Sequence, residues 1–172
     1  MFVKGSRADA AELFEIIKRR IVWMDENGID QWNNHDYLSV FPLEHYIRKA
    51  DEGRLYVLKE KAGVICGAVL DDSDPRWDDG AKAIYVHNFA SEIGRPGAGR
   101  KMLEYIEGLA KDKGCDYIRL DCDAENDRLN AYYDSFGFIS LDRFEEGVYR
   151  GVKKTERIVK DGYGKKNTRR DP

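Results

Sequence analysis

Three glycines fall within six residues in the run Gly94-Arg95-Pro96-Gly97-Ala98-Gly99-Arg100-Lys101, and they stand where one periodicity gives way to another. Before them, Ala83 to Ala90 (AIYVHNFA) reads as a strand. After them, Met102, Leu103, Ile106 and Leu109 recur at helical spacing, with Gly114 placed to stop the helix. A strand handed through small residues into an amphipathic helix belongs to layered α/β or α+β domains. Such a joint also points several backbone N–H groups and the positive end of the helix at one spot, which suits an anion such as a phosphate. Two common phosphate loops are set aside: GxxxxGK followed by Ser or Thr is absent, and the glycine spacing is GxxGxG rather than GxGxxG. Neither an NTPase nor a Rossmann enzyme is indicated. Taken by themselves, the glycines equally suit an ordinary tight turn before a surface helix.

The elements around this joint fill out the layered pattern. Leu13, Ile16, Ile17, Ile21 and Met24 predict a helix over Asp9 to Met24, capped by Ser6 or Asp9, and a second short helix is expected over Leu43 to Ala50. Leu55 to Lys59 and Val64 to Leu70 predict a hairpin around Lys61-Ala62-Gly63, followed by an Asp-rich loop from Asp71 to Gly80. Beyond the glycine turn the expectation is a strand over Tyr117 to Leu120 and a helix over Asn130 to Phe136. Two last strands should lie near Phe138 to Phe144 and from Val148 toward Ile158.

Composition bounds the rest. With 172 residues, 42% of them hydrophobic, the chain suits one core, expected over residues 1–159. No apolar run approaches the roughly 20 residues of a membrane span, and the early charges leave no signal-peptide core, so a cytoplasmic protein is expected. The net charge of −3 gives no case for nucleic acid as a partner of the whole chain. It is unevenly spread: residues 153–172 carry eight basic and three acidic groups, leaving −8 for residues 1–152. The basic segment from 160 to 172 reads as a solvated, flexible tail, the alternative being an arm for RNA or an acidic protein. Cys66, Cys115 and Cys122 lack CxxC spacing, and with three His they suggest buried thiols rather than a disulfide framework or a metal site.

The stretch after the second core strand narrows the reading. It runs Asp121-Cys122-Asp123-Ala124-Glu125-Asn126 and then Ala131-Tyr132-Tyr133-Asp134-Ser135-Phe136-Gly137-Phe138. Asn126, Tyr133 and Gly137-Phe138 have the N-x6-Y-x3-GF spacing that, together with the glycine turn and its helix, resembles the GNAT superfamily of N-acetyltransferases from Leu55 to Phe138. Asp9 to Ala50 would then be that family's first two helices. The likeness implies a mixed, mostly antiparallel central sheet flanked by helices, with a splayed central strand pair between which acetyl-CoA lies. Two departures stand out: the family's Gln or Arg falls on Gly94, with Arg95 displaced by one, and Pro96 has no N–H to offer a phosphate.

By the same resemblance, the backbone at Phe89, Ala90 and Ser91 would hold the acyl-pantetheine and stabilise the oxyanion formed when an amine attacks. Arg95, Gly97, Ala98, Gly99, Arg100 and Lys101 would hold the pyrophosphate, with Asn126 bonding nearby. Tyr133 would protonate the departing thiolate; Tyr132 is adjacent, and a shift of register would exchange them. His87 is the leading candidate for the base that takes the proton of the acceptor amine, ahead of Glu44 and His45. The acceptor pocket would come from the first two helices and their linker, where Trp23, Asp25, Glu26, Asp30 and Trp32 offer indole faces and carboxylates to a cation. Those same residues also suit plain packing and solvated charge. The implied activity is direct acetyl transfer from acetyl-CoA to a primary amine, of a small molecule or a protein, without a metal or a covalent acyl-enzyme. The alternative is a non-catalytic acyl-CoA-binding or sensor module on the same fold. Pairing through terminal strands, common in the family, makes a homodimer one arrangement, and the oligomeric state stays open.

Overall fold

A computed structural model describes residues 1–34 and 36–159; the basic segment 160–172 and the reading made of it lie outside those residues. A short strand β1 (Phe2–Lys4) leads into helix α1 (Arg7–Glu26). Ser6 and Asp9 start this helix together. The Asp9 N–H donates to Ser6 Oγ at 3.2 Å, and the Ser6 N–H and hydroxyl donate to the Asp9 carboxylate at 2.9 and 2.8 Å. Donors that the first turn would otherwise leave unpaired are thus satisfied reciprocally. A 3-10 turn (Trp32–Asn34) and a four-residue helix α2 (Tyr37–Val40) follow, neither anticipated from periodicity, before α3 (Leu43–Asp51).

Strands β2 (Leu55–Glu60) and β3 (Gly63–Asp71) form the expected hairpin, and β4 (Ala83–Ser91) follows the Asp-rich loop. Helix α4 (Ala98–Asp112), β5 (Tyr117–Asp123), α5 (Asp127–Asp134), β6 (Ile139–Glu146) and β7 (Tyr149–Arg157) complete the described chain. Two boundaries correct the sequence reading. Helix α5 starts at Asp127 rather than Asn130 because Asn126 caps it, Oδ1 accepting from the Leu129 N–H at 3.0 Å. Strand β5 runs on to Asp123 because β7 pairs along its whole length, from Tyr117 opposite Arg157 to Asp123 opposite Gly151.

The strands form one seven-stranded sheet in the order β1-β2-β3-β4-β5-β7-β6, in which β4 and β5 are parallel and every other pair is antiparallel. This is the mixed, mostly antiparallel sheet flanked by helices that was expected. Alternation along β2 and β3 fills both faces. Tyr56, Leu58, Ile65 and Leu70 pack with Met102, Leu103 and Ile106 of α4, while Leu55, Val57, Val64 and Val69 pack with Leu13, Ile16 and Ile17 of α1 and Tyr46 of α3. Gly67 lets α1 press onto the sheet, since a Cβ there would lie 2.8 Å from a Leu13 methyl. All three cysteines are buried, and no helix among the described residues is long and apolar enough to cross a membrane.

Asp9 also accepts from Lys59 Nζ at 2.5 Å, tying α1 to β2. Burial pushes its carboxyl up, but the bonds from Lys59 and Ser6 outweigh burial and hold it below the usual range. A depressed carboxylate stabilises the fold above its unfolded value of about 3.9 and ceases to as pH falls through the folded one. Asp9→Asn should therefore cost about 1 kcal/mol at pH 7, the usual worth of such a cap, in urea unfolding. The difference from wild type should shrink as the pH is taken below 4 in roughly half-unit steps, where Asp9 itself becomes protonated.

Candidate active site

Pairing between β4 and β5 covers Ala83 to Tyr85 against Tyr117 to Arg119 and then stops. The cause lies on the other edge of β4. Gly67 opposes Ala90 and Val69 opposes His87, so β4 spends three steps where β3 spends two. The extra residue is a β-bulge, which bends and twists its strand. Asn88 carries it with φ +50, a left-handed conformation that asparagine tolerates better than most residues. Beyond the bulge β4 diverges from β5, and the space between them is a cavity of about 870 Å³.

Val86 to Ser91 of β4 form one wall of this cavity, and Leu120, Asp121 and Cys122 of β5 with Leu129, Tyr132 and Tyr133 of α5 form the other. Phe89, Ala90 and Ser91 are thus on the strand wall of the cavity. The Ser91 carbonyl and hydroxyl are engaged by Arg20 of α1, at 2.6 and 3.0 Å. Asn126 also borders the cavity, but its side chain is occupied with capping α5 and reaching Gln31 Oε1 at 3.3 Å.

The glycine turn stands at the same opening. Gly97 caps α4 with φ +83, and the first intrahelical bond runs from the Lys101 N–H to the Gly97 carbonyl at 3.0 Å. Gly99 borders the cavity, and a Cβ there would sit 2.7 Å from the Tyr132 hydroxyl. Ala98 is buried beneath the turn, Arg100 stacks over the Phe136 ring at 4.4 Å, and Lys101 is exposed. Arg95 turns away to meet Glu60 at 3.3 Å. The turn offers main-chain donors at a helix N-terminus, with Arg100 beside them, a fitting cradle for a pyrophosphate.

Tyr132 and Tyr133 are told apart by their surroundings. Tyr133 is 6% exposed in the main core, in edge contact with Phe138, whereas Tyr132 is half-buried with its hydroxyl toward the start of α4. Burial drives the Tyr133 phenol well above its ordinary value and lifts Tyr132 to about 12. Both therefore remain protonated at neutral pH, with a proton to donate. Helix α5 is held in place just after Tyr133, where the buried Lys154 ammonium meets Asp134 at 2.7 Å and Ser140 at 2.9 Å.

His87 faces the cavity with Nε2 3.6 Å from the Asp74 carboxylate, and ligating atoms of Asp74, His87 and Asp121 lie within 4.8 Å of one another. The Arg76 guanidinium stands 3.8 Å from Asp74 and 3.9 Å from Asp121, so the counter-charge of this cluster is a cation of the chain itself. Tyr149 adds a hydroxyl bond to Asp121 at 2.9 Å. His45, the weaker candidate base, is committed elsewhere. The Asn88 amide donates to the Tyr37 hydroxyl at 2.6 Å, so its oxygen must accept from His45 Nε2 at 3.1 Å, and His45 Nδ1 then accepts from Arg48 at 3.3 Å. Burial lowers its pKa and keeps this ring neutral. Glu44 does not line the cavity.

Of the residues assigned to an acceptor pocket, Trp23 and Trp32 line the cavity, while Asp25, Glu26 and Asp30 are exposed and do not. Asp25 instead accepts from Asn33 at 2.8 Å. The carboxylates that do line it are Asp71, Asp74, Asp121 and Glu146, from the end of β3, the β3–β4 loop, β5 and the end of β6. Sequence reasoning passed over them because each is an unremarkable acidic residue in its own segment. The density of Asp between Asp71 and Gly80 was the available signal.

A family model described as the Acetyltransferase (GNAT) family matches residues 17–138. The Uncharacterized N-acetyltransferase YesJ of Bacillus subtilis (strain 168) is 24% identical over 139 residues, 76% of each chain. The structure of a GNAT-family acetyltransferase from Listeria monocytogenes 4b F2365 matches with a TM-score of 0.73 at 20% identity, over 91% of this chain and 94% of that one. That of yncA from Salmonella typhimurium, solved with its cofactor acetyl-CoA, matches with a TM-score of 0.65 at 16% identity, over 95% and 96% of the two chains. The structural likenesses establish the fold, and the family match spans most of the sequence, including the splayed strands, the glycine turn and Tyr133: the chain belongs to the GNAT family of acetyltransferases.

Proposed function

We propose that the chain transfers the acetyl group of acetyl-CoA directly to a primary amine. The observation that carries this reading is the junction of two features: a gap opened between β4 and β5 by the bulge at Asn88, and a glycine-capped helix N-terminus at its mouth. An extended acyl-pantetheine fits a gap walled by strand backbone, and a pyrophosphate fits the start of α4. Gly99 marks the fit, since a side chain there would fill the space between the turn and Tyr132. Phe89, Ala90 and Ser91 would hold the acyl arm. Gly99 and Arg100 would receive the phosphates through their N–H groups, and Gly97, Ala98, Arg95 and Lys101 would shape and charge the turn.

When bound, acetyl-CoA supplies an acyl carbon activated by a thiol leaving group. An ammonium acceptor must lose two protons while the C–N bond forms and the C–S bond breaks. His87, facing the cavity, takes the first and passes it to water. Tyr133 gives its own proton to the departing sulfur and regains one from the new amide nitrogen. Its raised pKa suits this task because burial penalises a thiolate in the same surroundings, as the Cys122 thiol in the cavity wall shows by its rise to about 12. Cys66 is raised to about 12 by the same cause, so neither thiol has the thiolate character of a covalent nucleophile.

A second reading, an acyl-CoA-binding module without turnover, is favoured by Pro96 and by the turn of Arg95 toward Glu60, which remove two contributions to the cradle. Calorimetric titration with acetyl-CoA, with NAD as control, should show binding near about 1 to 10 μM and no response to NAD; an absence of acetyl-CoA binding would sink both readings. Tyr133→Phe should lower turnover about a hundredfold with acetyl-CoA affinity retained, and unchanged turnover would remove Tyr133 as the acid. Gly99→Ala should weaken acetyl-CoA about tenfold, as expected for crowding a helix-terminus anion site, while the thermal midpoint stays within about 3 °C.

A further inference from the structure

We infer that the acceptor is an arylalkyl primary amine, one ammonium on an aromatic body. This rests on the transferase reading above and narrows its acceptor. The cavity beyond the splayed strands has two unlike sides. On the floor, the sheltered Asp74 and Asp121 carboxylates share the single guanidinium of Arg76 with Glu146, which is itself exposed to solvent, so the sheltered pair is left one positive charge short. The Asp74 side chain is only 3% exposed. Carboxylates left under-neutralised away from water gain from a further cation, and His87 stands beside them at 3.6 Å to take its proton.

The roof is apolar and aromatic. Trp32 stacks on Tyr37 with centroids 4.8 Å apart, and Tyr37 meets Phe41 at 5.0 Å. The Trp23 face is already covered by the Arg20 guanidinium at 5.3 Å, which leaves the Trp32 to Phe41 stack as the aromatic surface toward a ligand. Such faces reward an aromatic partner beyond its buried area. Among the described residues from 20 to 49 that line the cavity, the charged ones are Arg20 and Lys49, both basic and both engaged, with the Ser91 carbonyl and with Asp71 at 2.9 Å. A second ammonium lying along this roof would meet apolar walls and like charge. This side of the cavity therefore favours an aromatic body over a second ammonium.

The test measures CoA-thiol release from acetyl-CoA with 2-phenylethylamine, tryptamine, spermidine and an alanine-initiated hexapeptide as acceptors. The two arylalkylamines should exceed spermidine and the peptide in kcat/KM by about tenfold or more, the discrimination expected of an apolar pocket. Phe41→Ala should raise KM for 2-phenylethylamine about tenfold with kcat within about twofold, and should shift KM for n-propylamine far less, as loss of uniform binding to the aromatic body requires. Trp32→Leu serves as the second variant should Phe41→Ala unfold by circular dichroism. Equal or better use of spermidine or the peptide overturns the inference, as does silence toward both arylalkylamines from protein that binds acetyl-CoA. Quenching of tryptophan fluorescence by 2-phenylethylamine alone reads the pocket independently: failure of acetyl-CoA to bind removes the transferase reading, whereas failure of the amine to bind removes this one.

Discussion

One misfit in backbone register governs the molecule. Because β4 uses an extra residue between its pairings with Val69 and Gly67, its far half cannot remain beside β5, and a parallel pair that starts in register separates after Tyr85 and Arg119. Leaving strand edges unpaired is costly unless they find partners, so a separation of this kind persists only where the surroundings fix it. Asn88 supplies that fixing. It accepts the left-handed backbone, and its amide clamps Tyr37 of α2 on one side and His45 of α3 on the other. The bulge is therefore joined to the roof of the cavity that it opens.

The sheet tolerates the separation because each half is held independently. On one side, α1 and α3 pack onto β2 and β3; on the other, β5 is paired along its length with β7 and backed by α4. The closed end is latched by Arg119 of β5, which is 3% exposed, lies over the Trp77 ring at 4.3 Å and grips the Asp79 carboxylate at 2.9 and 2.5 Å. Arg119 in turn holds the Asp79 pKa near 2. The latch folds the β3–β4 loop back across the strand ends, which is how Asp74 reaches His87. A loop pinned to a rigid scaffold in this way can carry chemistry without losing position.

Much of this was legible in the sequence, and the boundary of legibility has a physical origin. Helices α1, α3 and α4 and strands β2 to β5 announced themselves because each buries one face or both against a neighbour, and burial writes a period into the chain. Strand β1, the 3-10 turn and α2 are too short to show one. The start of α5 was misplaced because Asn126, a residue type that itself signals an N-cap and whose Oδ1 accepts from the Leu129 N–H, was read as a cofactor contact rather than as a cap. The linear motif led to Tyr133, Phe89 to Ser91 and the glycine turn because those positions sit on continuous segments. The acidic floor was not legible: Asp74, Asp121 and Glu146 lie on a loop and on two strands, β5 and β6, that only the sheet order brings together.

That division explains why Asp25, Glu26 and Asp30 drew attention and yet stay in solvent. A carboxylate on an exposed linker has no reason to leave water, and desolvating it would need a partner that the linker does not offer. Asp74 has such partners, since the Arg76 N–H donates to its Oδ1 at 2.8 Å and Trp77 anchors the same turn on Arg119. Burial of charge therefore follows the rigid latch rather than the local density of acidic residues. The acidic side of the cavity is supplied by the end of β3, the β3–β4 loop, β5 and the end of β6, and the first helices contribute its apolar cover.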